Sequence, residues 1–139
     1  MTIIDTSVVT KWFFPEEEFQ KALFIRNQHQ REEISLYAPT LLLFELGNVF
    51  VSKGLKNRPA FNENVRALYN LNINFIHPEE QTLELAFAHS QEFKLSFYDA
   101  TYIALAQNLK CDFITADKKL YQKTKKLKFV KLLSNFPII

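Results

Sequence analysis

The stretch FKLSFYDATYIALAQNLKCDFITAD, residues 93–117, joins a helix to a strand and decides the fold class. Its first part, YDATYIALAQNL, is an apolar run with helical character, and its second part, CDFITAD, predicts a strand. The predicted helix carries an acid, Asp99, close to its start. Ser96 stands three residues earlier, as in a capping box, so a helix cap is one interpretation of this acid.

Strand and helix alternate in the rest of the chain as they do here. Such alternation predicts an α/β fold with a parallel sheet covered by helices on both faces. We find no internal repeat and no convincing linker, so residues 1–139 are expected to form a single domain. The predicted strands are TIID, ISLYAP, NINFIHP, CDFITAD and FVKLL. The predicted helices are SVVTKWFF, PEEEFQKALFIRNQHQREE, LLLFELGNVFVSK (capped by Thr40 and stopped by Gly54), PAFNENVRALYNL, EEQTLELAFAHSQEF, YDATYIALAQNL and KKLYQKTKK.

The composition excludes several kinds of site. With only 2 Gly, the chain cannot contain a Gly-x-Gly-x-x-Gly fingerprint, a P-loop or a Gly-x-Ser-x-Gly nucleophile elbow. The lone Cys111 cannot supply a disulfide framework or a Cys-based zinc site, and the 3 His lack the spacing of a zinc-binding helix. The sequence begins without a signal-peptide pattern, and no stretch is apolar enough to span a membrane. We therefore expect a cytoplasmic protein with no membrane partner.

Charge is distributed unevenly along the chain. The net charge is +2, yet all 15 acidic residues lie at or before Asp117, and residues 118–139 contain seven Lys and no acid. Such an asymmetry is typical of a protein with a polyanionic partner. A solvated basic surface without a partner explains it equally well.

Four acids stand at positions where an α/β sheet brings ligands together. Asp5 follows the first predicted strand and Asp117 follows the fourth, so both leave the same edge of a parallel sheet. Asp99 lies near the start of a helix that can face that edge. Glu45 lies in the apolar stretch LLLFELGNVF, where a charge is costly unless it is paired. Each acid also has a simpler interpretation: the three Asp could cap helices, and Glu45 could face water.

Gathering these acids at one edge requires a cation or protonation. Two charges about 4 Å apart repel by about 4 kcal/mol at an effective dielectric constant of 20. Carboxylates without His or Cys favour Mg²⁺ or Mn²⁺, and Mg²⁺ usually keeps several waters beside one or two carboxylates. One or two such ions can polarise a phosphoryl oxygen and stabilise the leaving oxygen. Beside a basic segment, this set indicates phosphodiester hydrolysis.

Three segments together carry a family resemblance that covers nearly the whole chain. They are IIDTSVVTKWFFPEE, APTLLLFELGNVF and SFYDATYIALAQNLKCDFITADKKL. In order, spacing and flanking apolar runs, the chain resembles the PIN domains, and most closely the VapC-type toxins of prokaryotic toxin–antitoxin pairs. The resemblance implies a three-layer α/β/α fold whose five-stranded parallel sheet has the order 3-2-1-4-5. It also implies a Mg²⁺- or Mn²⁺-dependent endoribonuclease, an RNA substrate, a homodimer and a small antitoxin that blocks the acidic pocket.

The roles of individual residues follow from matching these motifs. We expect Asp5 and Asp99 to bind the metal directly, and Asp117 to complete the site directly or through water. Glu45 would hold water at the metal or help to activate the nucleophile. Hydrogen bonds from nearby polar side chains would orient the carboxylates. These outer residues are Ser7, Asn48 and Thr115, and the lysines after Asp117 are candidates for RNA phosphate contacts.

Two other classes of function remain compatible with the sequence. A PIN fold with its acids intact could bind RNA or a protein partner without cutting. A phospho-acceptor signalling domain has a similar layout, but it usually has an acid pair after the first strand and an acceptor Asp after a central strand. Here Asp5 stands alone, and NINFIHP ends with His77 followed by Pro78.

Overall fold

The structure, a computed structural model, describes residues 1–55 and 57–138. Within this part of the chain, strands and helices alternate as the sequence predicts. The strands are β1 (Thr2–Ile4), β2 (Leu36–Pro39), β3 (Asn74–Ile76), β4 (Asp112–Thr115) and β5 (Val130–Leu132). The helices are α1 (Thr6–Phe13), α2 (Phe19–Gln30), α3 (Leu41–Ser52), α4 (Arg58–Asn70), α5 (Glu80–Phe93), α6 (Phe97–Leu109) and α7 (Lys118–Lys123), and a 3₁₀ turn spans Leu133–Asn135.

The strands form one parallel sheet in the order β3-β2-β1-β4-β5. The predicted fold class and strand order are therefore confirmed. Because parallel crossovers are right-handed, the connections from β1 to β3 lie on one face and those from β3 to β5 lie on the other. The chain reverses direction across the sheet between β1 and β4, which places a crevice at the C-terminal ends of these two strands.

The core is built from the apolar residues of the central strands and from α6. Ile3, Ile4 and Phe113 are fully buried, as the inner strands of a sheet covered on both faces require. All residues from 100 to 106 in α6 are buried, so this helix crosses the sheet as a core element rather than as a surface helix. Tyr102 of α6 stacks on Phe113 with the ring centroids 5.9 Å apart. No helix in the described ranges is long and apolar enough to cross a membrane.

The start of α2 differs from the prediction. The sequence favours a helix that begins at Pro15 with three Glu in its first turn, but the helix begins at Phe19. Glu18 has a left-handed backbone with φ of 67°, which interrupts the helical geometry immediately before Phe19. The acidic segment before Glu18 is therefore a connection between α1 and α2, where Glu16 pairs with Lys53 at 2.6 Å.

The predicted cap of α3 is also wrong. Thr40 precedes the helix, but its backbone is itself helical, with φ of −56° and ψ of −23°, and its side chain accepts no capping hydrogen bond. Its N–H instead donates to the carbonyl of Ile76 at 3.0 Å. Thr40 thus continues the hydrogen bonding between β2 and β3 rather than capping α3. Gly54 is at the predicted end of the helix, in the left-handed conformation with φ of 74°.

Candidate active site

Asp5 follows β1 directly, and its carboxylate is held by three hydrogen bonds. Its Oδ1 accepts from the Ser7 hydroxyl and from the N–H of Val8, and its Oδ2 accepts from the Thr115 hydroxyl at 2.6 Å. The hydrogen bond from Val8 makes Asp5 the N-cap of α1, as the simpler interpretation of this acid, a helix cap, predicts. The carboxylate is only 6% exposed, and the hydroxyls fix the position of both its oxygens.

The hydroxyls of Ser7 and Thr115 join the ends of β1 and β4. Besides donating to Asp5, the Ser7 oxygen accepts from the N–H of Ala116 at 2.9 Å, and the Thr115 oxygen accepts from the N–H of Asp117 at 3.1 Å. The two hydroxyl oxygens lie 3.3 Å apart. The structure thus places both residues where the sequence expects them, between the first and the fourth acid.

The Glu45 side chain is hydrogen-bonded within the protein rather than simply exposed to water. The carboxylate on α3 is half-buried, and its Oε1 accepts hydrogen bonds from the Tyr102 hydroxyl at 2.6 Å and the Thr6 hydroxyl at 2.9 Å. The two hydroxyl oxygens are themselves 3.1 Å apart. Three helices therefore meet at this one carboxylate oxygen, and α3 is oriented so that its acid lies beside α1 and α6.

Sequence reasoning missed Thr6 and Tyr102. Each stands next to a residue that it did identify: Thr6 follows Asp5, and Tyr102 lies three residues after Asp99 and so shares its helix face. That spacing is the signal that could have pointed to Tyr102. The contact itself depends on the packing of α3 against two other helices, which a single sequence does not show.

Asp99 and Asp117 complete the acid cluster. Burial is the main cause that raises the pKa of Asp99, and the negative charges of Asp117 and Glu45 raise it further. Asp117 is more exposed and caps α7 by accepting from the N–H of Leu120 at 3.1 Å. Ser96 caps α6 by accepting from the N–H of Asp99 at 3.0 Å, which confirms the Ser96 half of the capping box. The hydrogen bonds of the described residues include none from the Ser96 N–H to the Asp99 carboxylate.

Asp5 is electrostatically coupled to these acids through Asp99. Burial raises the pKa of Asp5 to about 7, the hydrogen bonds from Ser7, Thr115 and Val8 oppose this rise, and the charge of Asp99 adds to it. The four predicted acids therefore lie at one edge of the sheet and influence one another. Asn48 is different: its side chain is exposed, and no hydrogen bond within the described residues joins it to Glu45.

The donor set suits a hard divalent cation. Within residues 1–55 and 57–138, no three His, Cys, Asp or Glu side chains are already grouped tightly enough to hold a metal ion. Mg²⁺ does not need such a cage, because it retains waters and usually takes one or two carboxylates from the protein. Burial raises the pKa of the Asp5 carboxylate, and a bound cation would favour its ionised form. The residues present therefore fit Mg²⁺ or Mn²⁺.

Comparisons with known proteins agree with this architecture. A family model described as PIN domain matches residues 2–126. A curated relative, Ribonuclease VapC3 from Pyrobaculum aerophilum, is 25% identical over 125 residues, which cover 87% of this chain and 92% of the relative.

Solved structures share the fold at lower sequence identity. A toxin–antitoxin complex from Klebsiella pneumoniae contains a chain with a TM-score of 0.69 and 21% identity, over 99% of this chain and 100% of that one. PAE2754 from Pyrobaculum aerophilum gives a TM-score of 0.68 and 20% identity, over 96% and 90%. FitAcB from Neisseria gonorrhoeae gives 0.69 and 14%, over 98% and 100%.

Proposed function

The chain belongs to the PIN domain family, and on this premise we propose that it is a metal-dependent endoribonuclease that hydrolyses RNA phosphodiester bonds. One observation carries the proposal: Asp5, Glu45, Asp99 and Asp117 converge at the C-terminal edge of the sheet, where Asp5 and Asp99 have raised pKa values. An uncompensated cluster of this kind costs stability, which a bound cation would restore. The relative named Ribonuclease VapC3 supports the choice of RNA as substrate.

In this proposal, Asp5 and Asp99 bind the metal, and Asp117 completes the site directly or through water. When bound there, Mg²⁺ or Mn²⁺ would supply positive charge for the phosphoryl oxygen and the leaving oxygen. Ser7 and Thr115 keep the Asp5 oxygens in place by donating to them. Since outer hydrogen-bond partners orient metal ligands, these hydroxyls are positioning residues.

Glu45 is the proposed proton acceptor for the attacking water. Its Oε1 accepts hydrogen bonds from the hydroxyls of Thr6 and Tyr102. The second oxygen, Oε2, receives no hydrogen bond from the described residues and is the atom that can accept a proton. A carboxylate fixed through one oxygen and open at the other suits a general base.

The biological role that we propose is that of the toxin in a toxin–antitoxin pair, acting on RNA in the cytoplasm. A small cognate antitoxin would be its protein partner, and the similarity to a chain of the Klebsiella pneumoniae toxin–antitoxin complex supports this. We also propose a homodimer, because Phe44 and Val51 are 78% and 73% exposed on α3 and such apolar surface is typical of interfaces. Residues 1–139 would act as a single PIN-like domain, since one buried cluster includes residues from Ile3 to Leu133.

RNA cleavage by the purified protein tests this function. We expect a labelled single-stranded RNA to be cut with Mg²⁺ or Mn²⁺ and to stay intact with a chelator. Thermal melting with the same additives should show a higher melting temperature with metal, because metal binds the folded state. A melting temperature raised by metal without any cleavage would instead favour a non-catalytic PIN-fold module that binds RNA or a partner. Cleavage that persists in chelator would contradict the proposed mechanism.

Tyr102→Phe tests the proposed role of Glu45. Removing the hydroxyl should lower kcat with little change in KM, because a general base that loses one of its two orienting hydrogen bonds supplies less of the roughly 10²- to 10⁴-fold that such a base contributes. The hydrogen bond itself should contribute only about 1 kcal/mol to the free energy of unfolding, so the variant should remain folded. Steady-state kinetics and melting measure the two effects. The exposed Tyr69→Phe is the matched control, and equal kcat for both variants would remove Tyr102 from the mechanism.

A further inference from the structure

A cavity of about 710 Å³ lies along the edge strand β5, away from the acids described above. This volume is within the range of about 300–1,000 Å³ that is typical of ligand-binding sites. The wall is formed by the start of β4, the end of α7, the loop that follows it, all of β5, and the last residue of the 3₁₀ turn with the two residues after it. Its lining includes Asp112, Tyr121, Phe136 and the lysines described next.

Among the described residues, four lysines line this cavity and only one acid, Asp112, so the net charge of its lining is positive. Lys126 already has a counter-ion, since its Nζ lies 2.6 Å from Glu92 Oε1 and 5.1 Å from the Phe93 ring centroid. The ion pairs among the described residues include none of the other three lysines, and all three are exposed. Those lysines, the groove lysines, are Lys125, Lys128 and Lys131.

Aromatic side chains share the cavity with the groove lysines. Tyr121 and Phe136 both line it, and each is half-buried, so part of each ring is accessible. Lysines that follow a phosphate backbone, together with rings on which bases stack, are the usual elements of single-stranded nucleic acid sites. This combination favours a single-stranded RNA over an acidic peptide as the occupant.

The strand register places one end of the cavity near the acids. In the β4–β5 pair, Leu132 is level with Thr115, the hydroxyl residue that binds Asp5. Adjacent strands are about 4.8 Å apart, so the C-terminal end of β5 lies one strand away from the end of β4, where Thr115 binds Asp5. Asp112 and Lys125 mark the opposite end of the cavity, at the start of β4 and after α7. An RNA strand that leaves the four acids at the C-terminal edge of the sheet can therefore follow β5 along the groove lysines.

We propose that this cavity binds the phosphate backbone of single-stranded RNA and holds the substrate strand on one side of the cleavage site. This inference rests on the proposed ribonuclease function and adds a substrate subsite to it. The seven lysines after Asp117 then have different roles. Lys125, Lys128 and Lys131 contact phosphates, whereas Lys126 is held by Glu92 and Lys118 lies 3.7 Å from Glu17.

Binding measured without cleavage tests the subsite. The full chain carrying Asp99→Asn would be titrated against a fluorescently labelled single-stranded RNA at several salt concentrations. Adding Lys125→Gln, Lys128→Gln and Lys131→Gln should weaken binding and reduce the slope of log K against log salt by about 2, from about 0.7 per phosphate contact on a single strand. In the background with all acids intact, the triple variant should raise KM and leave kcat unchanged, because these contacts bind ground state and transition state equally.

A charge-matched control separates the subsite from a general effect of net charge. Arg31→Gln, Arg58→Gln and Arg66→Gln remove the same charge from exposed sites next to α2 and in α4, away from β5. An equal loss of slope in the two triple variants would overturn the proposal. A selective effect on a poly-glutamate peptide rather than on RNA would overturn it too, in favour of an acidic protein partner. Failure of the proposed ribonuclease function would be a different result: the groove lysines would still bind RNA, but the protein with all acids intact would not cleave it.

Discussion

Asp99→Asn is expected to lower kcat/KM for RNA cleavage by more than about 100-fold while the protein stays folded. Outer partners of metal ligands typically contribute 10- to 100-fold, so the loss of a direct ligand should exceed that range. The substitution removes one negative charge and almost no volume. The pKa of Asp99 is raised by burial and by the charges of Asp117 and Glu45, so in chelator the variant should also melt at a higher temperature than the wild type at neutral pH.

Asp112→Asn is the matched control for this experiment. Asp112 is an exposed acid at the start of β4, at the opposite end of the strand from the acid cluster, so its neutralisation should leave kcat unchanged. Because Asp112 lines the cavity that contains the groove lysines, losing its negative charge should lower KM for RNA rather than raise it. Metal should raise the melting temperature of the control by more than that of Asp99→Asn. Cleavage that survives in a folded Asp99→Asn variant would show that the acid cluster is not the site of hydrolysis.

The fold could be predicted because local patterns and topology agree along this chain. Short apolar strands separated by helices leave few arrangements other than a parallel α/β sheet, and the resemblance to PIN domains supplied the strand order. The errors lie at helix starts. Glu16 and Glu17 suit a first helical turn, yet Glu18 takes a left-handed backbone and delays the helix. Thr40 is a good capping residue by type, but its N–H pairs with the strand residue Ile76. For Thr40, a tertiary contact thus overrides a local preference.

The candidate site could be predicted in part, for a related reason. Asp5 and Asp117 leave the same edge of the sheet because each follows a parallel strand, and that much follows from the alternation of strands and helices in the sequence. The partners of Glu45 do not follow in this way. Thr6, Glu45 and Tyr102 belong to three helices, and they meet only because α3 packs beside α1 and α6. Asn48 illustrates the converse, since it shares a helix face with Glu45 but is exposed, and no hydrogen bond in the described chain connects the two.

Helix capping and the proposed metal binding are compatible roles for the same acids. Asp5 caps α1 and Asp117 caps α7, so both are needed for local structure whether or not a metal is present. Capping uses one carboxylate oxygen and aligns the acid with the positive end of a helix dipole. The geometry that caps a helix at the end of a strand thus also presents a carboxylate at the sheet edge. For Asp5 the consequence is a buried acid whose charge must be compensated.

The second large effect concerns stability in the absence of metal. Burial raises the pKa of Asp5 from its ordinary value of 3.8 to about 7 in the folded protein. Between these values the folded state binds more protons than the unfolded state, so the free energy of unfolding decreases as the pH rises. The contribution of Asp5 is fully present below about pH 4, falls by about 1.4 kcal/mol per pH unit at most, and is lost above about pH 7.

Denaturant unfolding in chelator at pH 5 and pH 8 would measure this effect, with Asp5→Asn and Asp112→Asn as the test and control variants. Wild type and Asp112→Asn should be less stable at pH 8, whereas Asp5→Asn should show a much smaller change because its side chain cannot ionise. Mn²⁺ should restore the wild type at pH 8, since a cation favours the charged carboxylate that burial disfavours. An equal pH dependence in all three proteins would show that the buried Asp5 carboxylate does not control stability. It would also remove the electrostatic reason for a metal at this edge of the sheet.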